Sequence, residues 1–164
     1  MDWQEVMANP QLKHLPFKIE INRYGVLEMS PTSFIHGLYQ TAIVQQLLLL
    51  APNGLSATET PIQFGEATRV PDAIWMSMTF YKAHQHDVQL SAAPEICIEV
   101  ISPSNTKSEI KEKTNTYFKL GGLEVWLCDQ NGAMRFYDNN GQLSHSTLIP
   151  NFPAQIQPQF PDVD

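Results

Sequence analysis

Three charged residues stand where a packed fold would ordinarily place apolar ones, and their types suit one kind of chemistry. Asp72 follows Arg69-Val70-Pro71 at the start of an apolar run. Alternation puts it on one strand face with Ile74 and Met76, opposite Ala73 and Trp75. Glu99 lies inside Glu95-Ile96-Cys97-Ile98-Glu99-Val100-Ile101 and shares a face with Cys97 and Ile101. A buried, ionised carboxylate at that position requires a cation or strong donors. Lys113 occupies the middle of the stripe Thr106, Ile110, Lys113, Tyr117 and Leu120, which is one face of a helix. Lys107, Lys111 and Lys119 project elsewhere and read as solvated charges.

An Asp, a Glu and a Lys that meet at strand ends suit metal-assisted hydrolysis of a phosphodiester. Two hard carboxylates can hold Mg²⁺, which keeps several waters and accepts a phosphate oxygen. The ammonium can orient or help deprotonate the attacking water, or offset charge developing on phosphoryl oxygens. Each residue also has a plainer structural reading. Asp72 can cap a turn beside proline, Glu99 can form an internal salt bridge, for instance with Arg69, and Lys113 can snorkel to the core boundary.

The elements that must position these residues follow from periodicity. Asp2–Ala8 reads as a short helix ended by Asn9-Pro10. Phe17–Asn22 alternates as a half-buried strand, Tyr24-Gly25 turns, and Val26–Met29 returns as a hairpin. After Ser30-Pro31-Thr32-Ser33, residues 33–50 read as a long core helix with Ile35, Leu38, Ala42 and Leu49 at helical spacing, widened by Val44, Leu47 and Leu48. Thr58–Phe64 and Val70–Met76 read as strands joined around Gly65, and Phe80–Gln85 as a short helix. Glu95–Ile101 is apolar on both faces, as at the centre of a covered sheet. Ser104–Leu120 is helical, Gly121-Gly122 stops it, and Leu123–Cys128 is a second buried strand. Asn131-Gly132 and Asn139-Asn140-Gly141 signal hairpins around Ala133–Tyr137 and Gln142–Leu148. The tail, with Pro150, Pro153, Pro158 and Pro161, reads as irregular surface chain. The order implies an α/β fold with a central mixed sheet flanked by helices. It reads as one domain over 1–164, with its core at about 15–140 and the irregular tail at about 150–164.

The chain has 164 residues, 43% of them hydrophobic and 16% charged, which is a globular composition. Ten Lys and Arg face 17 Asp and Glu, for a net charge of −7. Tight non-specific binding to nucleic acid is disfavoured, while a local basic strip on the acidic body remains compatible. No apolar run reaches the roughly 20 residues of a membrane span, and the N-terminus shows no secretory pattern. Cys97 and Cys128 lie in apolar runs and read as reduced, buried side chains in a cytoplasmic protein.

Several segments together resemble the PD-(D/E)XK nuclease superfamily and, more narrowly, its Uma-type endonucleases. They are Gly25-Val26-Leu27-Glu28-Met29-Ser30-Pro31 with His36, Arg69-Val70-Pro71-Asp72, Pro94 to Ser104 around Glu99, the helix with Lys113 and Tyr117, and Gly122 to Asp129 with Trp126. The resemblance covers residues 15–140 and implies a restriction-endonuclease-like fold. Its motif would place a lysine two residues after the glutamate, where Ile101 stands; the Uma-type pattern moves it to the following helix, where Lys113 fits. The resemblance implies Asp72, Glu99 and Lys113 as catalytic residues. It also implies Mg²⁺, with Mn²⁺ as a substitute, held by Asp72, Glu99 and the Val100 carbonyl, together with DNA as partner and a homodimer.

The competing reading is a catalytically silent nuclease-fold dimer that serves as a binding or regulatory module; another phosphate ester as substrate is a third. If DNA binds, positive potential is expected at the mouth of the site, with help from Arg69 and Lys107. Glu20 and Glu28 read as exposed strand charges, His84-x-His86 as surface loop, and His36 as a cap, a core hydrogen-bonding group or a site residue.

Overall fold

The computed structural model describes residues 2–15, 17–31 and 33–158. Its elements run α1 (Trp3–Ala8), β1 (Phe17–Ile21), β2 (Leu27–Pro31), α2 (Phe34–Leu50), β3 (Gly54–Thr58), β4 (Ile62–Phe64), β5 (Ala67–Arg69) and β6 (Ala73–Ser77). They continue with α3 (Met78–His84), β7 (Ile96–Val100), α4 (Lys107–Lys119), β8 (Glu124–Cys128), β9 (Met134–Asp138) and β10 (Gly141–Leu143). A six-stranded mixed sheet has the order β10-β9-β8-β7-β6-β3, and a four-stranded antiparallel sheet the order β2-β1-β5-β4. Only β7 and β8 pair in parallel among the described strands. Parallel neighbours need a crossover connection, and α4 supplies it.

Alternation divides the core between the two faces of the larger sheet. Ala73, Trp75, Ile96, Ile98, Trp126 and Phe136 pack on the α2 side with Ile43 and Leu47. Ile74, Cys97, Val125 and Leu127 pack on the α4 side with Tyr117. Every residue of β7 and β8 is buried, as expected for central strands covered on both faces. Cys97 and Cys128 are free and belong to opposite faces.

Helix limits follow local chemistry. Asp2 and Thr106 form capping boxes with Glu5 and Glu109. The Thr106 box starts α4 later than Ser104, and Gly121 follows its end at φ +98. Ser33 caps α2, and Thr32 of the same punctuation lies outside the described residues.

The structure departs from periodicity in four places. The run Thr58–Phe64 is split at Glu59-Thr60-Pro61, so β3 joins the large sheet and β4 the small one; Pro61 cannot donate to a ladder. The strand expected over Gln142–Leu148 stops at Leu143. On α2, Ile35, Leu48 and Leu49 are exposed, and Tyr39, Ala42, Ile43 and Leu47 make the buried face. That helix is too uniformly apolar for spacing to fix its orientation. Phe152 and Ile156 of the tail are buried in the α2-side core instead of lying on the surface; Pro161 falls outside the described residues. No helix of the described residues is long and apolar enough to cross a membrane.

Candidate active site

The two sheets meet at Asp72. Pro71 ends the small-sheet ladder, and the Asp72 amide then donates to the carbonyl of Ile98, the middle residue of β7, at 3.0 Å. Ala73 pairs with Ile98, so one step further the same antiparallel register sets Asp72 opposite Glu99. Two carboxylates opposed across strands repel, and both are buried here, Asp72 at 1% and Glu99 at 6% exposure. The fold answers with two lysines.

Lys18 of β1 reaches Asp72 Oδ1 at 2.5 Å, and the Val100 amide donates to Oδ2 at 2.7 Å. From the first turn of α2, His36 Nε2 lies 3.2 Å from the same Oδ1. One turn on, Gln40 donates to the Asp72 carbonyl at 2.6 Å and to Glu59 at 2.9 Å, fixing the backbone that carries the carboxylate. Lys113 Nζ bridges Glu99 Oε2 at 3.3 Å and Glu20 Oε1 at 3.1 Å. Tyr117, one helical turn beyond Lys113 and fully buried, donates its hydroxyl to Glu99 Oε1 at 2.5 Å. Lys113 and Tyr117 thus share one face of α4 because they are spaced i, i+4.

Asp72, Glu99 and Lys113 are therefore brought together, lining one small cavity of about 40 Å³ with Val100, Lys18, Glu20 and His36. The arrangement also corrects the expectations for β1. Glu20 is buried, not exposed, and accepts from the Val70 amide at 2.8 Å and from Arg69 at 3.5 Å. Glu28 keeps an exposed side chain but pairs with Arg69 at 2.7 Å. Arg69 meets Glu20, Glu28 and Glu112, not Glu99, so it does not supply a free positive charge at the mouth. Lys18 escaped the sequence reading because Lys-x-Glu on an alternating strand looks like its wet face. No signal in the sequence marks it, since Phe17 and Ile19 on the other face are the residue types a core face carries, although Phe17 is 40% exposed in the fold. His84 stacks on Phe80 and pairs with Asp87, away from the site.

Burial would raise the Asp72 carboxyl, but hydrogen bonding from His36 and the charge of Lys18 outweigh it and hold the group well below the ordinary carboxylate range. Glu99 goes the other way. Burial raises it, Lys113 and Lys18 oppose that, and Asp72 and Glu20 add to it, leaving a net rise. Burial would lower Lys113, yet Glu99 and Glu20 prevail and raise it, so it remains an ammonium. Lys18 is raised in the same way, against burial, by Glu99 and Asp72.

Among the described residues no three carboxylate, imidazole or thiolate side chains are grouped as a ready metal cage. The donor chemistry nevertheless fits a hard divalent ion. Mg²⁺ is commonly held by one or two carboxylates, with waters and substrate phosphates completing its shell, and Asp72 and Glu99 are such a pair on one cavity.

Comparison with curated proteins yields no match. A crystal structure described as "a putative nuclease belonging to DUF820", from Anabaena variabilis ATCC 29413, aligns with a TM-score of 0.66 at 16% identity, covering 97% of this chain and 85% of that chain. The likeness establishes the restriction-endonuclease-like α/β fold. Residues 3–161, nearly the whole chain, match the Uma2 family, described as "Putative restriction endonuclease", and the chain belongs to that family.

Proposed function

We propose that this protein is a Mg²⁺-dependent endonuclease that hydrolyses DNA phosphodiester bonds at the cavity of Asp72, Glu99 and Lys113, with Mn²⁺ as a substitute ion. The observation that carries this reading is the convergence of two buried carboxylates and an ammonium on one cavity at the meeting of two sheets. Asp72, Glu99 and the Val100 carbonyl would hold the ion, which when bound supplies a polarised water and stabilises charge on phosphoryl oxygens. The raised carboxyl of Glu99 supports this assignment, since it is a site where added positive charge is favourable.

Lys113 is a cation in this reading and not a base. Hydrolysis forms a bond from water oxygen to phosphorus and breaks the bond from phosphorus to one sugar oxygen. An ammonium beside Glu99 offsets charge on the non-bridging oxygens, while the attacking water loses one proton to solvent and the departing alkoxide takes one up from solvent. Tyr117 acts as a positioning residue that fixes the rotamer of Glu99.

A specific observation favours a second reading as well. Lys18 already neutralises Asp72, as expected of a silent module whose charges serve stability. Cleavage of supercoiled, linear and single-stranded DNA in Mg²⁺ or EDTA separates the two, with Asp72→Asn and Lys113→Met as variants at a temperature where both remain folded. The enzyme reading expects Mg²⁺-dependent cleavage in the wild type and at least a 1000-fold loss, roughly the scale of an electrostatic catalytic group, in each variant. Absence of cleavage together with absence of Mg²⁺-dependent stabilisation would favour the module. A homodimer belongs to either reading: Leu48 and Leu49 on α2 are 58% and 72% exposed, apolar area that a second copy would cover, and sedimentation measures it.

A further inference from the structure

Seven of the ten lysines and arginines lie outside the catalytic cavity and its Arg69 cluster. Of these, Lys107, Lys111, Lys119 and Arg135 are on or beside α4, exposed, and form no ion pair with a described carboxylate. Lys107 and Lys111 stand at i and i+4 on one flank of α4, whereas Lys119 lies further round the helix and lines another groove with Arg69 and Glu112.

Between α4 and β9 runs a groove of about 320 Å³ whose rim carries Lys107, Lys111 and Arg135, with Tyr137 offering a hydroxyl. Among the described residues no carboxylate lines it. By contrast, the groove on the other flank of α4, at the mouth of the catalytic cavity, is lined by Glu20, Glu28, Glu109 and Glu112 as well as Arg69 and Lys113. In a chain of net charge −7, an acid-free groove with three unpaired cations is a local reversal of sign. It lies one helix width, about 10 Å, from the cavity.

We infer that this groove is a docking track for the phosphate backbone of a polynucleotide, which crosses the N-terminal half of α4 to reach the cavity; the inference rests on the nuclease reading for its direction toward the site. Phosphate contacts position a duplex or strand without reading bases, which is what flexible lysines around a short apolar floor can do. It also resolves the electrostatic difficulty of an acidic mouth. Affinity comes from the far flank of α4, and the carboxylates at the mouth remain near the reacting bond.

The test is fluorescence anisotropy of a labelled 20-base-pair duplex and of a single strand of equal length, in EDTA and over 50–200 mM salt. The full chain is compared with a Lys107→Gln/Lys111→Gln/Arg135→Gln variant and with Lys82→Gln as a remote control. The expected result is at least tenfold weaker binding at 50 mM salt. The slope of log K against log salt should fall by about 2.7 for duplex, three phosphates at about 0.9 each, or by about 2 for single strand. Lys82→Gln should match wild type. Wild-type affinity and slope in the triple variant would overturn the inference, as would failure of the wild type to bind either form, or a loss confined to phosphatidylserine vesicles. Asp72→Asn distinguishes this from failure of the nuclease reading. If wild type cleaves nothing yet the triple variant loses DNA binding, the track stands and the cleavage assignment falls. If Asp72→Asn abolishes cleavage while the triple variant binds normally, the track falls and the cleavage assignment stands.

Discussion

Replacing Lys18 by Met tests whether its ammonium occupies ground that a divalent ion would take. Met preserves much of the aliphatic stem, so packing changes little and charge changes by one. In the folded protein the Lys18–Asp72 pair is nearly dry, with side-chain exposures of 11% and 2%. Removing one partner of a buried pair costs about 3–5 kcal/mol. The Val100 amide and His36 still face Asp72, which places the cost at the lower end, about 3 kcal/mol. For a chain of this size that is a fall in Tm of about 6–12 °C. A divalent ion that then sits on Asp72 repairs the deficit: at a concentration of 100 Kd it returns about 2.7 kcal/mol, nearly the whole loss. Wild type should gain less from the same ion, because Lys18 must first give way. The assay is thermal melting of both proteins against increasing Mg²⁺ or Ca²⁺. A variant as stable as wild type without metal, or one whose Tm rises no more than wild type's on adding metal, would refute the reasoning.

Other substitutions separate positioning from packing. Tyr117→Phe removes a charge-assisted hydrogen bond from a fully buried hydroxyl; stability should fall by about 1.5–3 kcal/mol and metal affinity by about 10–100-fold, read by melts and Mg²⁺ titration. Glu124 accepts from the Trp126 indole at 2.7 Å and from the Thr147 and Leu148 amides at 2.7 and 3.0 Å. Burial opposes its ionisation, but the hydroxyl of Thr147 and the other donors prevail and lower its pKa below the ordinary 4.5. Its stabilisation is therefore complete above pH 4.5 and lost as pH falls through the depressed value, so Glu124→Gln should cost about 1–3 kcal/mol at pH 7, with the difference from wild type shrinking on acidification. Gly132 adopts φ +81, where an added Cβ would collide with the Ile156 carbonyl and approach the Tyr39 ring at 2.8 Å. Gly132→Ala should cost at least about 2 kcal/mol in chemical denaturation and loosen the tail that packs there.

The elements were legible wherever one periodicity dominated. Glu95–Ile101 and Leu123–Cys128 are apolar on both faces, interrupted inside only by Glu99 and Glu124, and the intervening helix has a stripe and two glycines at its end, so two buried strands joined by a helix follow from sequence. Residue faces were legible there too: Asp72 does share a face with Ile74, and Glu99 with Cys97. Legibility failed where burial is set by a second layer. In α2 the apolar residues surround the helix, so spacing could not choose Ile43 and Leu47 over Leu48 and Leu49. At Glu59, φ +48 sends β3 and β4 into different sheets, and a Glu in that conformation has no local signature.

The candidate site shows the same limit in charge. Asp72, Glu99 and Lys113 are visible because each interrupts an apolar pattern, and that is a property of one strand or one helix. Lys18 and Glu20 interrupt nothing: their strand alternates as an amphipathic strand should, and they become buried only because the small sheet lays that face against Asp72 and α4. A carboxylate pair buried across two strands must be neutralised, so the existence of a second cation could be argued from Asp72 and Glu99 alone. Its identity could not, since it comes from β1, distant in the chain and in a different sheet. The two lysines also differ in what their removal should do. Lys113 bridges Glu99 and Glu20 from a helix that the core holds in place, whereas Lys18 extends from β1, next to the exposed Phe17, toward Asp72. Of the two, Lys18 has the looser support, and it is the lysine that an entering ion would displace at the smaller cost to the fold.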